Sequence, residues 1–213
     1  MIKIDIISDA VCPWCFIGKK RLDKALNTYK NYKFNINWHA FQLNPTMPTN
    51  GMDRKLYLNT KFGGENRAED IYKQIELAGL STGIEFNFKQ ITIMPNSFYA
   101  HMLIEYSKEQ NLQNKITEKL FTAFFLDGKN IGDIEVLMEI AEKNNINNFT
   151  KETLNQRKDI IENVKLSDER SRNKGVSGVP FFIINDNYAV SGAQESEVFE
   201  KIFETCLLEN KIN

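Results

Sequence analysis

A chain of 213 residues with 42% hydrophobic content can bury a substantial core, and its length suits one domain or a small domain carrying a large insertion. Its 27 basic and 28 acidic residues leave a formal net charge of −1 with no long block of one sign, so neither nucleic acid nor a membrane surface is implied as a partner. No uninterrupted apolar run approaches the ~18 residues a membrane-spanning helix needs.

The β-branched run Ile2-Lys3-Ile4-Asp5-Ile6-Ile7 predicts a short strand buried on at least one face. Met1 leads straight into it, without the basic region and apolar stretch of a secretory signal, which predicts a cytoplasmic protein. Ser8-Asp9-Ala10-Val11 forms a loop, and Cys12-Pro13-Trp14-Cys15 opens a helix behind it. Pro13 suits the first helical position, where its missing N–H is not needed and its fixed φ fits. Two cysteines on the first turn can close a small disulfide without unwinding the helix. The first of them, expected to be exposed, sits where unpaired N–H groups and the helix dipole favour a thiolate.

A CxxC pair can also be half of a zinc site, but two further ligands at similar spacing are missing: the remaining cysteine is Cys206, and His39 and His101 stand far apart. No metal is therefore expected. Thiol–disulfide chemistry is the stronger reading than two inert buried thiols, because in a cytosolic chain a CxxC is more often catalytic than structural.

From Phe16 to Tyr29 the apolar positions follow a helical period, with Gly18 permitting close packing or a bend and Lys19, Lys20, Arg21 and Lys24 turned outward. Phe34 to Ala40 alternates with period two and predicts a second, half-buried strand, ended by Pro45 and Pro48. From 46 to 156 helical patterning takes over, with helices expected over 52–62, 68–80, 97–111, 112–126 and 133–143. Gly63-Gly64, Gly83 and Gly128 mark breaks, Asp133 is an N-cap, and 91–95 is an irregular crossing segment. A helix over 159–173 stops at Gly175. Strands follow at 181–184 and 188–190 around an Asp186-Asn187 turn, and a closing helix spans 195–208 with Cys206 on its apolar side as a buried small hydrophobe. This order predicts an α/β fold: a mixed sheet flanked by helices, parallel in its opening βαβ unit and antiparallel in the late hairpin.

Several stretches, in this order, carry a family resemblance: Asp9-Ala10-Val11-Cys12-Pro13-Trp14-Cys15-Phe16-Ile17-Gly18, Phe41-Gln42-Leu43-Asn44-Pro45, Pro95-Asn96-Ser97 leading to Ala100-His101, Gly178-Val179-Pro180-Phe181-Phe182, and Val190-Ser191-Gly192-Ala193-Gln194. With them the chain resembles the DsbA-like thioredoxin superfamily, in its FrnE-like dithiol–disulfide oxidoreductase subgroup. The resemblance implies a thioredoxin-like domain in two parts, 1–45 and 157–213, around an all-helical insertion over 46–156. It implies a cis bond before Pro180, a loop lying beside the CxxC, and pairing of the Val179 backbone with an extended substrate.

On that reading Cys12 attacks, Cys15 resolves, and Pro13, Trp14, Val179 and Pro180 meet the substrate, with Trp14 shielding the sulfurs and offering a flat contact surface. The enzyme would exchange disulfides with protein thiols or low-molecular-weight thiols without a resident cofactor, glutathione serving as redox partner. Kappa-class glutathione transferases and 2-hydroxychromene-2-carboxylate isomerases share the architecture but use a serine-type site, and the second cysteine argues against both. By analogy with their pocket, Asn96 and His101 become candidate pocket residues, against the plainer roles of helix cap and packed or surface histidine. A non-catalytic chaperone using the insertion surface is the remaining alternative.

Overall fold

The computed structural model describes residues 1–63 and 65–212; Gly64, half of the expected Gly63-Gly64 break, lies outside the described residues. The central strand β1 (Ile2–Ser8) pairs in parallel with β2 (Phe34–Ala40) across helix α1 (Pro13–Thr28), and antiparallel with β5 (Phe181–Ile184), which pairs with β6 (Tyr188–Ser191). The sheet order β2-β1-β5-β6 is thus the mixed arrangement that the element order predicts.

Alternation along the strands sorts the two faces. Ile2, Ile4, Ile6, Trp38, Phe182 and Ile184 belong to the main core, where α1 packs against the closing helix α9 (Ser196–Ile212). Ile7 turns the other way and joins Phe41 and Val176 in a smaller cluster against Phe181 and Ile183.

Between β2 and β5 run α2 (Arg54–Phe62), α3 (Glu65–Leu80), α4 (Phe98–Tyr106), α5 (Gln113–Phe125), α6 (Ile134–Lys143), α7 (Lys151–Gln156) and α8 (Lys158–Asn173). They share one core with the sheet. Phe16 of α1 stacks on Phe121 of α5 at 5.1 Å between ring centres, and Gln113 exchanges hydrogen bonds with the Trp38 main chain. Asp133 caps α6 through the Glu135 N–H, and Gly63 ends α2 in the left-handed region.

Three expectations need correction. The segment 91–95 is not wholly irregular, because β4 (Ile93–Met94) pairs antiparallel with β3 (Met52–Asp53), so α2 starts two residues later than the pattern suggests, with Asp53 as its cap. The short helix α7, capped by Thr150, was not foreseen; six residues hold too little periodicity to read. Lys19 does not turn outward: it is buried, and ion pairs to Asp23 at 2.7 Å and Glu118 at 2.8 Å make that burial tolerable.

Candidate active site

Cys12 is the N-cap of α1, extended at φ −97° and ψ 114°, and Pro13 takes the first helical position. The Cys12 carbonyl accepts the Cys15 N–H at 3.0 Å, closing the first turn and setting both sulfurs on one side of it. No side chain caps this helix start. Both cysteines are free thiols.

The expectation of an exposed leading cysteine is overturned, since Cys12 is only 4% accessible. The reason is the loop before β5. Val179-Pro180 is a cis peptide there, and the Cys12 thiol donates to the Val179 carbonyl at 3.6 Å. Pro180 is buried, Val179 and Pro13 are half-buried, and Trp14 is exposed at 37% beside them. The structure therefore brings Cys12, Cys15, Pro13, Trp14, Val179 and Pro180 into one place.

Gly18 explains why loop and helix can approach so closely. A Cβ there would stand 2.9 Å from Pro180 Cγ and 3.2 Å from Phe182 Cζ, so only a residue without one fits. The neighbouring loop is fixed as well, by Gly192 N–H donating to the Pro180 carbonyl at 2.9 Å and by Arg21 donating to the Ala193 carbonyl.

The two thiols differ in environment. Burial pushes the Cys15 thiol well above its ordinary range and the adjacent Cys12 sulfur adds to this, while the Ser8 hydroxyl and the Asp9 amide pull the other way. Across from Cys12, burial also raises the phenols of Tyr57 and Tyr72, and both lie within electrostatic reach of the Cys12 sulfur. Asn44 donates to the Tyr57 hydroxyl at 3.1 Å. A groove of about 740 Å³ runs beside Tyr72, between Arg54, Leu58, Ala68 and Phe88, within the helical segment itself.

Among the described residues, no group of three or more His, Cys, Asp or Glu side chains could hold a metal ion. Likewise, none of the described helices is long and apolar enough to cross a membrane.

Asn96 takes the plainer of its two roles, accepting the Phe98 N–H at 2.9 Å at the start of α4 and donating to the Met47 carbonyl at 2.7 Å. His101 is buried with its ring against Asp9, and the cavity it borders, about 10 Å³, has no room for a substrate. Cys206 is fully buried in the core, and that burial raises its thiol. Sequence reasoning passed over Asp9, whose carboxylate holds the loop ahead of Cys12; its place three residues before the motif was the available signal.

The DSBA-like thioredoxin domain family matches residues 3–204. The chain belongs to that family. A curated relative, the uncharacterized protein YwbO of Bacillus subtilis, is 27% identical over 201 residues, covering 94% of each chain. Among solved structures, the probable DsbA oxidoreductase SCO1869 of Streptomyces coelicolor superposes with a TM-score of 0.85 at 24% identity, over 98% of this chain and 91% of that one. The cytosolic disulfide reductase DsbM of Pseudomonas aeruginosa gives 0.71 at 15% identity, over 96% and 98%. At these identities the structures establish the DsbA-like thioredoxin fold, in agreement with the family match.

Proposed function

We propose that this protein is a dithiol–disulfide oxidoreductase working through Cys12 and Cys15. In the reducing direction the Cys12 thiolate attacks a substrate disulfide, one substrate sulfur leaves, and a mixed disulfide forms. The Cys15 sulfur then attacks Cys12, releasing the second substrate sulfur and leaving the Cys12–Cys15 disulfide. The oxidising direction runs the same steps backwards.

The observation that carries this reading is the meeting of Cys12 Sγ with the Val179 carbonyl at 3.6 Å. It sets a main-chain acceptor beside the leading sulfur, where an extended peptide carrying a disulfide can hydrogen-bond while its sulfur reaches Cys12. Exposed Trp14 and half-buried Pro13 border the same spot and supply contact area. The substrates are protein thiols and disulfides or glutathione; DsbM, which shares the fold, has also been solved with GSH. We place the reaction in the cytoplasm, with no resident cofactor, and with the thioredoxin-like elements over 1–45 and 157–213 carrying the dithiol while 46–156 supplies the facing wall.

The raised Cys15 thiol supports its assignment as the resolving group, because a sulfur that yields little thiolate is poorly suited to first attack on an outside disulfide and is well placed for an intramolecular one. Trapping tests it. Cys15→Ser is expected to accumulate mixed disulfides at Cys12 with glutathione or protein substrates, and Cys12→Ser to accumulate almost none, read by mass spectrometry of non-reduced protein. The reverse pattern would exchange the roles, and trapping by neither variant would end the proposal.

A further inference from the structure

Arg21 stands one turn beyond Gly18 on α1, and its charge predicts a place in water. Its side chain is instead only 12% exposed. The guanidinium turns to the loop that follows β6. One arm of its fork donates to the Ala193 carbonyl, and the other meets a Glu195 carboxylate oxygen at 2.5 Å. The Nε of Arg21 is buried without a hydrogen-bond partner.

That last atom shows what fixes the side chain. A buried donor left unpaired is costly, and an arginine without another task would turn Nε towards water or an acceptor. Arg21 is held by its two outer nitrogens instead. A planar fork suits that task, because two bonds at once set both the distance and the orientation of the segment they grip.

The grip is passed on towards the leading thiol. Ala193 follows Gly192, which has φ +78° and donates its N–H to the Pro180 carbonyl at 2.9 Å. Gln194 braces the same turn, its N–H reaching the Gly192 carbonyl at 3.0 Å and its side-chain amide the Ser191 carbonyl at 2.9 Å. Pro180 is thus held by Gly192 on one side and lies against the Gly18 face of α1 on the other, where a Cβ on Gly18 would also stand 3.5 Å from Ala193 Cα. The residue before it, Val179, presents its carbonyl to Cys12 Sγ at 3.6 Å. Arg21, Ala193, Gly192, Pro180, Val179 and Cys12 therefore form a ring of contacts that leaves α1 and returns to it.

Other polar links between α1 and the C-terminal part of the chain go elsewhere. Lys24 meets Glu197 at 3.7 Å, Thr28 meets Glu200 at 3.2 Å and Tyr29 meets Glu204 at 3.0 Å, all on α9. Among the described residues this leaves the loop over 192–195 to Arg21.

We propose that Arg21 positions the Val179 carbonyl for the main chain of a peptide substrate, and so sets a preference for peptide disulfides over small ones. The inference rests on the dithiol reading above. An extended peptide can give that carbonyl an N–H, whereas a small aromatic disulfide has none to give. Arg21 acts through Ala193, Gly192 and Pro180 and is a positioning residue.

The test is stopped-flow reaction of the reduced full chain with two substrates that release the same coloured thiolate. One is a linear peptide whose single cysteine is disulfide-bonded to an aromatic thiol, and the other is the symmetric disulfide of that thiol. Arg21→Gln should raise the peptide concentration giving half-maximal rate by about 5-fold, the scale of one main-chain hydrogen bond, keep the limiting rate, and leave the symmetric disulfide no slower. Arg21→Lys keeps a cation without the fork. It should show the same split at smaller size, and it carries the test if Arg21→Gln does not fold. N-methylation of the peptide residue beside the cysteine should cost the wild-type protein the same factor of about 5 and Arg21→Gln nothing further, a coupling that a generally loosened fold does not produce. Native half-saturation by the peptide in either folded variant, equal slowing of both substrates, or N-methylation losses that are absent in the wild type or add to those of Arg21→Gln overturn the positioning role. If thiolate release by the wild-type protein survives Cys12→Ser, it is the dithiol reading that fails.

Discussion

Replacing Gly18 by alanine should loosen the joint between α1 and the cis-proline loop, and the size of the effect follows from the contacts. The new Cβ would meet Pro180 Cγ at 2.9 Å, and the ring cannot rotate away, so the loop must retreat by about 0.6 Å to regain the ~3.5 Å of an unstrained carbon contact. Overpacking of this kind costs about 1–3 kcal/mol, while alanine in a helix interior returns about 1 kcal/mol of backbone entropy, which leaves a net loss of about 1 kcal/mol. The functional loss should be larger in proportion, because the same loop carries the Val179 carbonyl at 3.6 Å from Cys12 Sγ. A misplacement near 1 Å can cost about 100-fold, so about 10-fold slower disulfide exchange is expected here. Urea unfolding gives the first number and stopped-flow disulfide exchange the second. A Gly18→Ala protein that is about 1 kcal/mol more stable and exchanges at the native rate would show that helix and loop are not held together at this point.

Three other outcomes follow from buried charges and thiols. Alkylation at neutral pH should modify Cys12 at least about 10-fold faster than Cys206, whose thiol is raised by burial in the core, and equal rates by peptide mass spectrometry would argue against an activated leading cysteine. Burial alone would raise the Asp5 carboxyl, but hydrogen bonds from His39 and Lys3 outweigh it and bring it to about 2. A depressed carboxyl stabilises the fold above its unfolded value near 4 and loses that contribution as pH falls towards 2. Asp5→Asn should therefore remove about 2 kcal/mol of pH-dependent stability, measured by urea unfolding from pH 7 downwards; identical pH profiles would refute the pairing. Glu118→Ala leaves Lys19 buried with Asp23 alone, and a loss of about 1–3 kcal/mol is expected, against no change if the ammonium can swing into water.

The parts of the fold that were legible in the sequence are those written in short range. Ile2–Ser8, Phe34–Ala40 and Phe181–Ile184 alternate or run apolar over enough residues to fix strand and face, and Asp133 announces its helix by its type and position. The β3–β4 pair was invisible because two-residue strands carry no period, and they meet only because α2 and α3 bring Met52 back to Met94. Lys19 was misplaced for a related reason. Its charge argues for the surface until Glu118 of α5, far away in sequence, is known to reach it.

The same division runs through the site. Sulfur chemistry needs two thiols one helical turn apart, and four adjacent residues, Cys12 to Cys15, state that completely. What surrounds the leading thiol is supplied by distant segments: the Val179 carbonyl from the loop before β5, and Tyr57 and Tyr72 from the helical segment. None of these residue types signals its part alone, since a valine contributes here through its backbone carbonyl. The proposed attack by Cys12 thus draws on the local CPWC turn, whereas what an incoming disulfide would meet beside it depends on tertiary contacts, the Val179 carbonyl first among them.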